Sequence, residues 1–391
     1  MTSKNSLGEY SISKTESQIL EAVKKLVEED LDPISFQVER EGHVPDAIVE
    51  KMRQLGLFGL SIPEAYGGLG LSTLGEVLVY EELTKANACF RSRIGTNNGI
   101  GSMGILFDGT EEQKQRYLPR IASGEWTAAF ALTEPDAGSD AANISTRAEL
   151  DGDLWKINGG KQFITNADCA DVFTMIAVTD EVKRTRGGFT AFIIEKGMPG
   201  FSIGPPDQKM GMHGSQTNEL IFCNCRVPRD NVIGGLDMVG QGFKTAMRVL
   251  DKGRLTIGAA ALGASQKLLD ICIEHVKKKI KGKTPSNKLQ STLFALADMA
   301  TEIYAARQML YHSAWLRDQG DSVTHKASMV KLFSTEMASR IADRAVDILE
   351  NEGTLKAFLV EMYLRDVRLY RIFEGTSEIQ RIVISRNLLK E

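Results

Sequence analysis

Cysteine is scarce in this chain: five among 391 residues, at Cys89, Cys169, Cys223, Cys225 and Cys272. Their odd number and irregular spacing exclude a disulfide framework and fit free thiols in a reducing compartment. No apolar run approaches the roughly 18 residues that a membrane span requires. The longest small-apolar stretch lies around Ile257 to Ala264. The start, Met1 to Tyr10, has neither an apolar signal core nor an Arg-rich presequence, so no export is expected and a cytoplasmic location is. Neither sign of charge dominates. Lys and Arg total 47 against 51 Asp and Glu, a net charge of −4, which lacks the basic footprint of a nucleic-acid binder. The five histidines are scattered, and no Cys or His cluster has metal-ligand spacing, so no metal site is expected. His213, alone in a turn, reads as structural or exposed. Cys223 and Cys225 are two apart, which puts both on one face of a strand.

What is present is an ordinary globular composition, 42% apolar and 25% charged, over a length that allows two or three domains of ~150 residues. Residues 1–126 read as helical: Ile19, Ala22, Val23, Leu26 and Val27 recur at three and four, and so do Val49, Met52 and Leu55. Ile62-Pro-Glu-Ala-Tyr-Gly-Gly-Leu-Gly70 reads as a loop. In 127–235 the period drops to two, as in Val172-Phe-Thr-Met-Ile-Ala-Val178, so a β domain is expected. A hairpin is expected at the Asp151-Gly152 turn. In 236–391 the helical period returns. Leu255, Leu262, Leu269 and Val276 repeat every seven, followed by Leu296, Met299, Ile303 and Leu310, then Met329, Phe333, Met337, Ile341 and Ile348. These are long antiparallel helices packed as a bundle. The fold class is therefore α+β.

Three segments carry possible chemistry. Ala131-Leu-Thr-Glu-Pro-Asp-Ala-Gly-Ser-Asp140 ends a strand in a turn with Thr133, Gly138 and Ser139. Its backbone N–H groups and hydroxyls suit an anion, although such a turn can also simply close on itself. Lys161-Gln-Phe-Ile-Thr-Asn166 is a second strand end. Arg371-Ile-Phe-Glu-Gly-Thr-Ser-Glu-Ile-Gln380 places Glu374 in a Gly-containing bend ahead of a helix, with Ser377 and Gln380 at capping-box spacing. A carboxylate between Ile372 and Phe373 should be partly desolvated and usable as a general base; alone, it would be a surface glutamate.

In this order, and with Gly109-Thr-Glu-Glu-Gln-Lys-Gln-Arg-Tyr-Leu-Pro119, Lys209-Met-Gly and Leu250-Asp-Lys-Gly-Arg254, these segments resemble the acyl-CoA dehydrogenase family from about Ile19 to Leu389. The resemblance implies an N-terminal helical domain, a middle antiparallel β domain and a C-terminal four-helix bundle. It also implies FAD as cofactor, an acyl-CoA substrate, a homo-oligomer (dimer or tetramer) and electron-transferring flavoprotein as reoxidant. In the implied reaction Glu374 removes the α proton of the thioester while the β hydrogen leaves as hydride to the flavin, giving a 2-enoyl-CoA. Phe130, Leu132, Thr133, Gly138, Ser139, Phe163, Ile164, Thr165, Lys279, Gln290 and Thr376 would hold the FAD. Ser139, Arg91, Asp251, Arg254 and Gly375 would meet the substrate. Arg254 otherwise reads as a solvated helix residue. Some members carry the base on the helix of Arg254; here that position is Gly253.

Some residues depart from the family pattern. Where the family has an Arg that reaches a neighbouring subunit's FAD, this chain has Lys279 in a Lys277 to Lys283 cluster that can equally be a solvated face. Leu349-Glu-Asn-Glu-Gly353 puts acids where phosphate is usual. Arg91 aligns with the carboxylate-binding arginine of glutaryl-CoA dehydrogenase, which would favour an acid-terminated acyl group if the side chain is buried. A solvent-facing pair, Arg91 and Arg93, is the alternative. Phe373 and Thr84 replace residues of the decarboxylating enzyme, so dehydrogenation alone is expected. A carrier-bound acyl thioester and a non-catalytic scaffold of the same fold are the other readings.

Overall fold

The computed structural model describes residues 10–282, 289–356 and 358–389. The N-terminal stretch Met1 to Glu9 and the end of the lysine cluster, Lys283, lie outside them. Seven helices come first: α1 (Lys14–Leu26), α2 (Ser35–Glu41), α3 (Asp46–Gln54), α4 (Thr73–Leu83), α5 (Ala88–Asn98), α6 (Met103–Asp108) and α7 (Glu111–Ala122). Seven strands follow: β1 (Ala128–Ala131), β2 (Arg147–Asp151), β3 (Leu154–Thr165), β4 (Val172–Val178), β5 (Phe189–Glu195), β6 (Phe201–Pro206) and β7 (Thr217–Pro228). The chain then continues through α8 (Gly242–Lys281), α9 (Gln290–Asp318), α10 (Thr324–Leu349), α11 (Leu359–Tyr370) and α12 (Ser377–Leu388). Two compact units result. One is built from Gln37–Gly70 and Cys89–Gly253, the other from Met1–Phe36, Leu71–Ala88 and Arg254–Glu391.

The first unit holds the sheet. β2, β3, β7 and β6 pair antiparallel in that order, and β4 pairs antiparallel with β5 but parallel with β1. Alternation sends Phe130 and Leu132 into one apolar cluster with Leu118 and Ile121 of α7 and Val249 of α8. Ala129, Ala131, Trp155, Ile164 and Phe173 go to another. The β2–β3 hairpin pairs Asp151 with Leu154, so its two loop residues are Gly152 and Asp153, one position past the expected turn. Gly152 takes φ +62° there. Cys223 and Cys225 do not share a face: Cys225 is buried and Cys223 exposed. The β3–β7 register jumps between Ile157 and Gly159, and Asn224 turns to φ +49°, a bulge that breaks the alternation.

The second unit is helical. Ser13 caps α1 in a capping box with Glu16. The sevenfold stripe Leu255, Leu262, Leu269 and Val276 is buried along α8, and so are Met299, Ile303 and Leu310 on α9. On α10 the buried line runs through Ala327, Val330, Lys331, Ser334, Met337, Ala338 and Ile341, leaving Met329 and Phe333 only half-buried. Helices α8 and α4 meet at Gly263, where a Cβ would fall on the Glu81 carbonyl oxygen and the Thr84 hydroxyl. Beside that crossing, the buried Glu81 carboxylate accepts hydrogen bonds from Arg307 Nη2 at 2.8 Å and from Tyr311 Oη at 2.7 Å. Among the described residues no helix is long and apolar enough to cross a membrane. A single methyl at Gly263 meets backbone, which cannot rotate away. Gly263→Ala should therefore cost about 3 kcal/mol and lower the thermal unfolding midpoint by several degrees. Gly258→Ala, whose Cβ would crowd a Val330 methyl at 2.7 Å and otherwise touch side-chain atoms of Leu310 and Ser334 at 3.7 and 3.8 Å, should cost less. Equal midpoints for both variants would contradict this packing.

Candidate active site

In the sheet-bearing unit the turn after β1 is set by an ion pair. Lys161, fully buried on β3, sends its Nζ to Glu134 Oε1 at 2.7 Å and to the Leu132 carbonyl at 3.0 Å. Glu134 Oε2 accepts from the Ser145 N–H at 2.6 Å and hydroxyl at 2.7 Å, and Oε1 accepts from the Thr146 N–H at 3.0 Å. Burial raises the carboxyl pKa of Glu134, but Lys161 and these donors outweigh it and hold the group below the usual range. Burial lowers that of Lys161. Glu134 and Ala137 exchange backbone hydrogen bonds of 3.1 Å, and Gln162 N–H donates to the Thr133 carbonyl at 2.8 Å. The turn is thereby fastened to the strand that carries Phe163.

Around this fastening lie hydrogen-bond donors, beside two exposed carboxylates of the same turn, Asp136 and Asp140. Gly138 and Ser139 are exposed and Thr133 is half-buried. Among the described residues no hydrogen bond engages their hydroxyls or the N–H groups of Gly138 and Ser139. A Cβ at Gly138 would meet nothing within 4 Å. Phe163 takes φ +58° and is 60% exposed, an unusual placing for a phenylalanine. Such a set suits an anionic group on the turn and a flat ring against Phe163. Thr165 is half-buried beside it. The side chains of Phe130, Leu132 and Ile164 are in the apolar clusters, only 8%, 6% and 2% exposed, so backbone and a residual edge are what they offer a ligand.

Arg91, on α5 of the same unit, is 9% exposed, which overturns the solvent-facing reading. Its guanidinium lies over Gly95, where a Cβ would come within 3.3 Å of Cζ. Arg93 stacks on Phe58 at 5.2 Å and donates to Thr127 Oγ1 at 3.1 Å. Asp251 is half-buried. His213 is fixed structurally, with Nδ1 2.8 Å from Glu39 and Nε2 3.0 Å from the Lys209 carbonyl.

In the helical unit Glu374 occupies a loop closed at its neck. Ser377 N–H donates to the Arg371 carbonyl at 3.1 Å. Glu336 of α10 accepts from Arg371 Nε at 2.9 Å and from Ser377 Oγ at 2.6 Å. Glu374 and Gly375 both take left-handed backbone, φ +52° and +89°. The glycine does so freely and the glutamate at a cost of about 1 to 3 kcal/mol. What holds them is a pair of donors on the Gly375 carbonyl, Lys331 Nζ at 2.6 Å and Gln380 Nε2 at 2.9 Å. Gln380 is thus not half of a capping box. The N-cap of α12 is Thr376, whose Oγ1 accepts from Ile379 N–H at 3.3 Å, one residue before the expected cap. Glu374 is half-buried, in line with the partial desolvation expected of a carboxylate between Ile372 and Phe373. Arg254 is 7% exposed on α8, so the solvated reading of it fails.

Two other expected cofactor residues are differently engaged. Lys279 Nζ lies 2.7 Å from Glu350 Oε1, and His275 lies 3.4 Å from Glu352, so acids of the 349–353 segment already face the basic end of α8. Gln290 is exposed at the start of α9. Sequence reasoning passed over Lys161 and Lys331 as chemistry. The signal was there: Lys161 shares a strand face with Trp155 and Ile157, and Lys331 falls four residues after Ala327 and three before Ser334, on the buried side of its helix. Among the described residues no group could hold a metal ion.

Three family models match: the acyl-CoA dehydrogenase N-terminal domain over residues 13–125, the middle domain over 129–225 and the C-terminal domain over 240–389. The acyl-CoA dehydrogenase of Bacillus subtilis is 38% identical over 96% of this chain and 98% of its own length. Among solved structures, butyryl-CoA dehydrogenase from Megasphaera elsdenii superposes with a TM-score of 0.93 at 34% identity, covering 98% of this chain and all of that one. The glutaryl-coenzyme A dehydrogenase glutaryl-CoA complex gives 0.90 at 32%, covering 97% and 96%. These matches define a flavin-dependent dehydrogenase. The chain belongs to the acyl-CoA dehydrogenase family, oxidoreductases whose cofactor is FAD. The donors at Thr133, Gly138 and Ser139 and the exposed Phe163 fit that cofactor.

The ion pair under these donors is the most exposed to test. Lys161→Met leaves a buried carboxylate without its counter-charge and should cost about 3–5 kcal/mol and weaken FAD binding. Adding Glu134→Gln should restore most of the stability. Thermal unfolding with and without FAD reads both effects, and a single variant as stable as wild type would remove the pair from this role.

Proposed function

We propose that this protein dehydrogenates an acyl-CoA thioester at Cα–Cβ to give a 2-enoyl-CoA, with Glu374 as the general base. The observation that carries this reading is the clamped loop. A glutamate held in strained left-handed backbone by two buried donors is a side chain whose aim has been selected at the expense of stability. The carboxylate takes the α proton of the thioester. Such a proton is weakly acidic, so the enolate-like charge on the thioester oxygen needs donors, and the backbone N–H of Glu374 is the proposed one. FAD, when bound, supplies the acceptor for the β hydrogen, which leaves as hydride. Thr133, Gly138, Ser139, Phe163, Thr165 and Thr376 are the residues we assign to holding it, with Phe130, Leu132 and Ile164 acting through backbone. Ser139, Asp251, Arg254 and Gly375 are assigned to the acyl-CoA. Gly253 offers no carboxylate on α8, which leaves the role to Glu374.

We read residues 1–126, 127–235 and 236–391 as the three domains, a division supported by the ranges the family models match. Family membership also supports a homo-oligomer and reoxidation by electron-transferring flavoprotein. The five free thiols support a cytoplasmic location.

A second reading concerns the acyl group. Burial of Arg91 sets aside the solvent-facing alternative and leaves its alignment with a carboxylate-binding arginine to favour a substrate ending in an acid. The similarity to glutaryl-CoA dehydrogenase supports the same reading. Phe373 and Thr84, whose hydroxyl is turned to the Tyr80 carbonyl at 2.8 Å, argue against coupled decarboxylation.

Anaerobic mixing with a panel of acyl-CoAs, followed by loss of flavin absorbance, tests the reaction. Glu374→Gln should keep its FAD and reduce it about 10²- to 10⁴-fold more slowly; a wild-type rate would require another base. Arg91→Ala should lower kcat/KM for a dicarboxylic acyl-CoA about a hundredfold and leave a plain acyl-CoA nearly unchanged. Equal losses on both would retire the acid-terminated substrate.

A further inference from the structure

Lys331 has no exposed surface and sits on the apolar face of α10, where methionine or alanine would pack at lower cost. The charged groups that influence it come from the loop, α8, α10 and α12. Glu374 of the loop, Glu336 of α10 and Glu378 of α12 favour its ammonium form, and Arg254 of α8 opposes it. Burial is the largest influence and brings its pKa down to about 8. Its donor is aimed at the carbonyl that follows the strained glutamate, at 2.6 Å.

We propose that Lys331 is the positioning residue for the base. Its ammonium fixes the Gly375 carbonyl, and with it the left-handed Glu374-Gly375 backbone, while its charge favours the carboxylate form of the neighbouring Glu374. The inference rests on the reading of Glu374 as base. Gln380 shares the geometric half of this role, because it donates to the same carbonyl, but it carries no charge. The two halves can therefore be separated.

The test is the pH profile of flavin reduction by an acyl-CoA in the wild-type holoenzyme and in Lys331→Met, Gln380→Leu and Glu374→Gln. Lys331→Met should be slower by about a hundredfold. The acid limb of its profile should move up by about one pH unit, because a carboxylate without its cationic neighbour binds a proton more readily. Gln380→Leu should be slower with its acid limb in place. A Lys331→Met profile that matches wild type in rate and limb overturns the proposal. Should Lys331→Met fail to give folded holoenzyme, Glu336→Gln decides. Removing that anion should move an alkaline limb near pH 8 to lower pH, and an unmoved limb counts against Lys331. If Glu374→Gln reduces its flavin at the wild-type rate, the base reading itself fails. If Glu374→Gln is slow while Lys331→Met is unchanged, only the positioning role falls.

Discussion

A lysine sealed from water must hand its ammonium protons to fixed acceptors, and in this protein that demand shapes the backbone at both places where chemistry is expected. Lys161 ties the end of β1 to Glu134 and so presents Thr133, Gly138 and Ser139 as donors. Lys331 ties the Gly375 carbonyl and so holds Glu374 in a conformation it would otherwise leave. In each case a desolvated charge is accepted inside a core, where an apolar side chain would be cheaper, and a loop of defined shape is what it secures. Both loops contain residues whose own preferences do not specify their conformation: Gly138 in one, Glu374 and Gly375 in the other.

This division explains what could be read in the chain directly. Helical and strand periods located the elements because amphipathic burial dictates them: Leu255, Leu262, Leu269 and Val276 are all buried along α8, and Phe130, Leu132 and Ala129, Ala131 alternate between two clusters. Where the backbone leaves regular geometry, the period misleads. Asn224 at φ +49° separates Cys223 from Cys225, and the cap of α12 falls on Thr376, with the Ser377 hydroxyl turned to Glu336 instead. The candidate base was legible as a carboxylate in a bend. Its supports were not, because a lysine in an apolar stripe looks like an interruption until the carbonyl it serves comes into view from a distant part of the chain. Arg254, read as solvated and found buried, is the same misjudgement of a cation.

The departures from the family pattern have a physical counterpart as well. Lys279 and His275, at the end of α8 where the resemblance would put a phosphate-binding arginine, are paired with Glu350 and Glu352. These are surface pairs of small energy, so their consequence is one of charge: the basic groups there are matched by acids of the same chain. The sheet-bearing unit, in contrast, keeps its donors at Gly138 and Ser139 uncommitted among the described residues.

The central claim is that a positioned carboxylate removes a proton from the carbon beside the thioester. Rapid mixing of the holoenzyme with an acyl-CoA deuterated only at Cα measures it most directly. The account predicts that flavin bleaching slows by a primary isotope effect relative to the protiated substrate. Identical bleaching of the two substrates, with chemistry shown to be rate-limiting by a deuterium effect at Cβ, would contradict it.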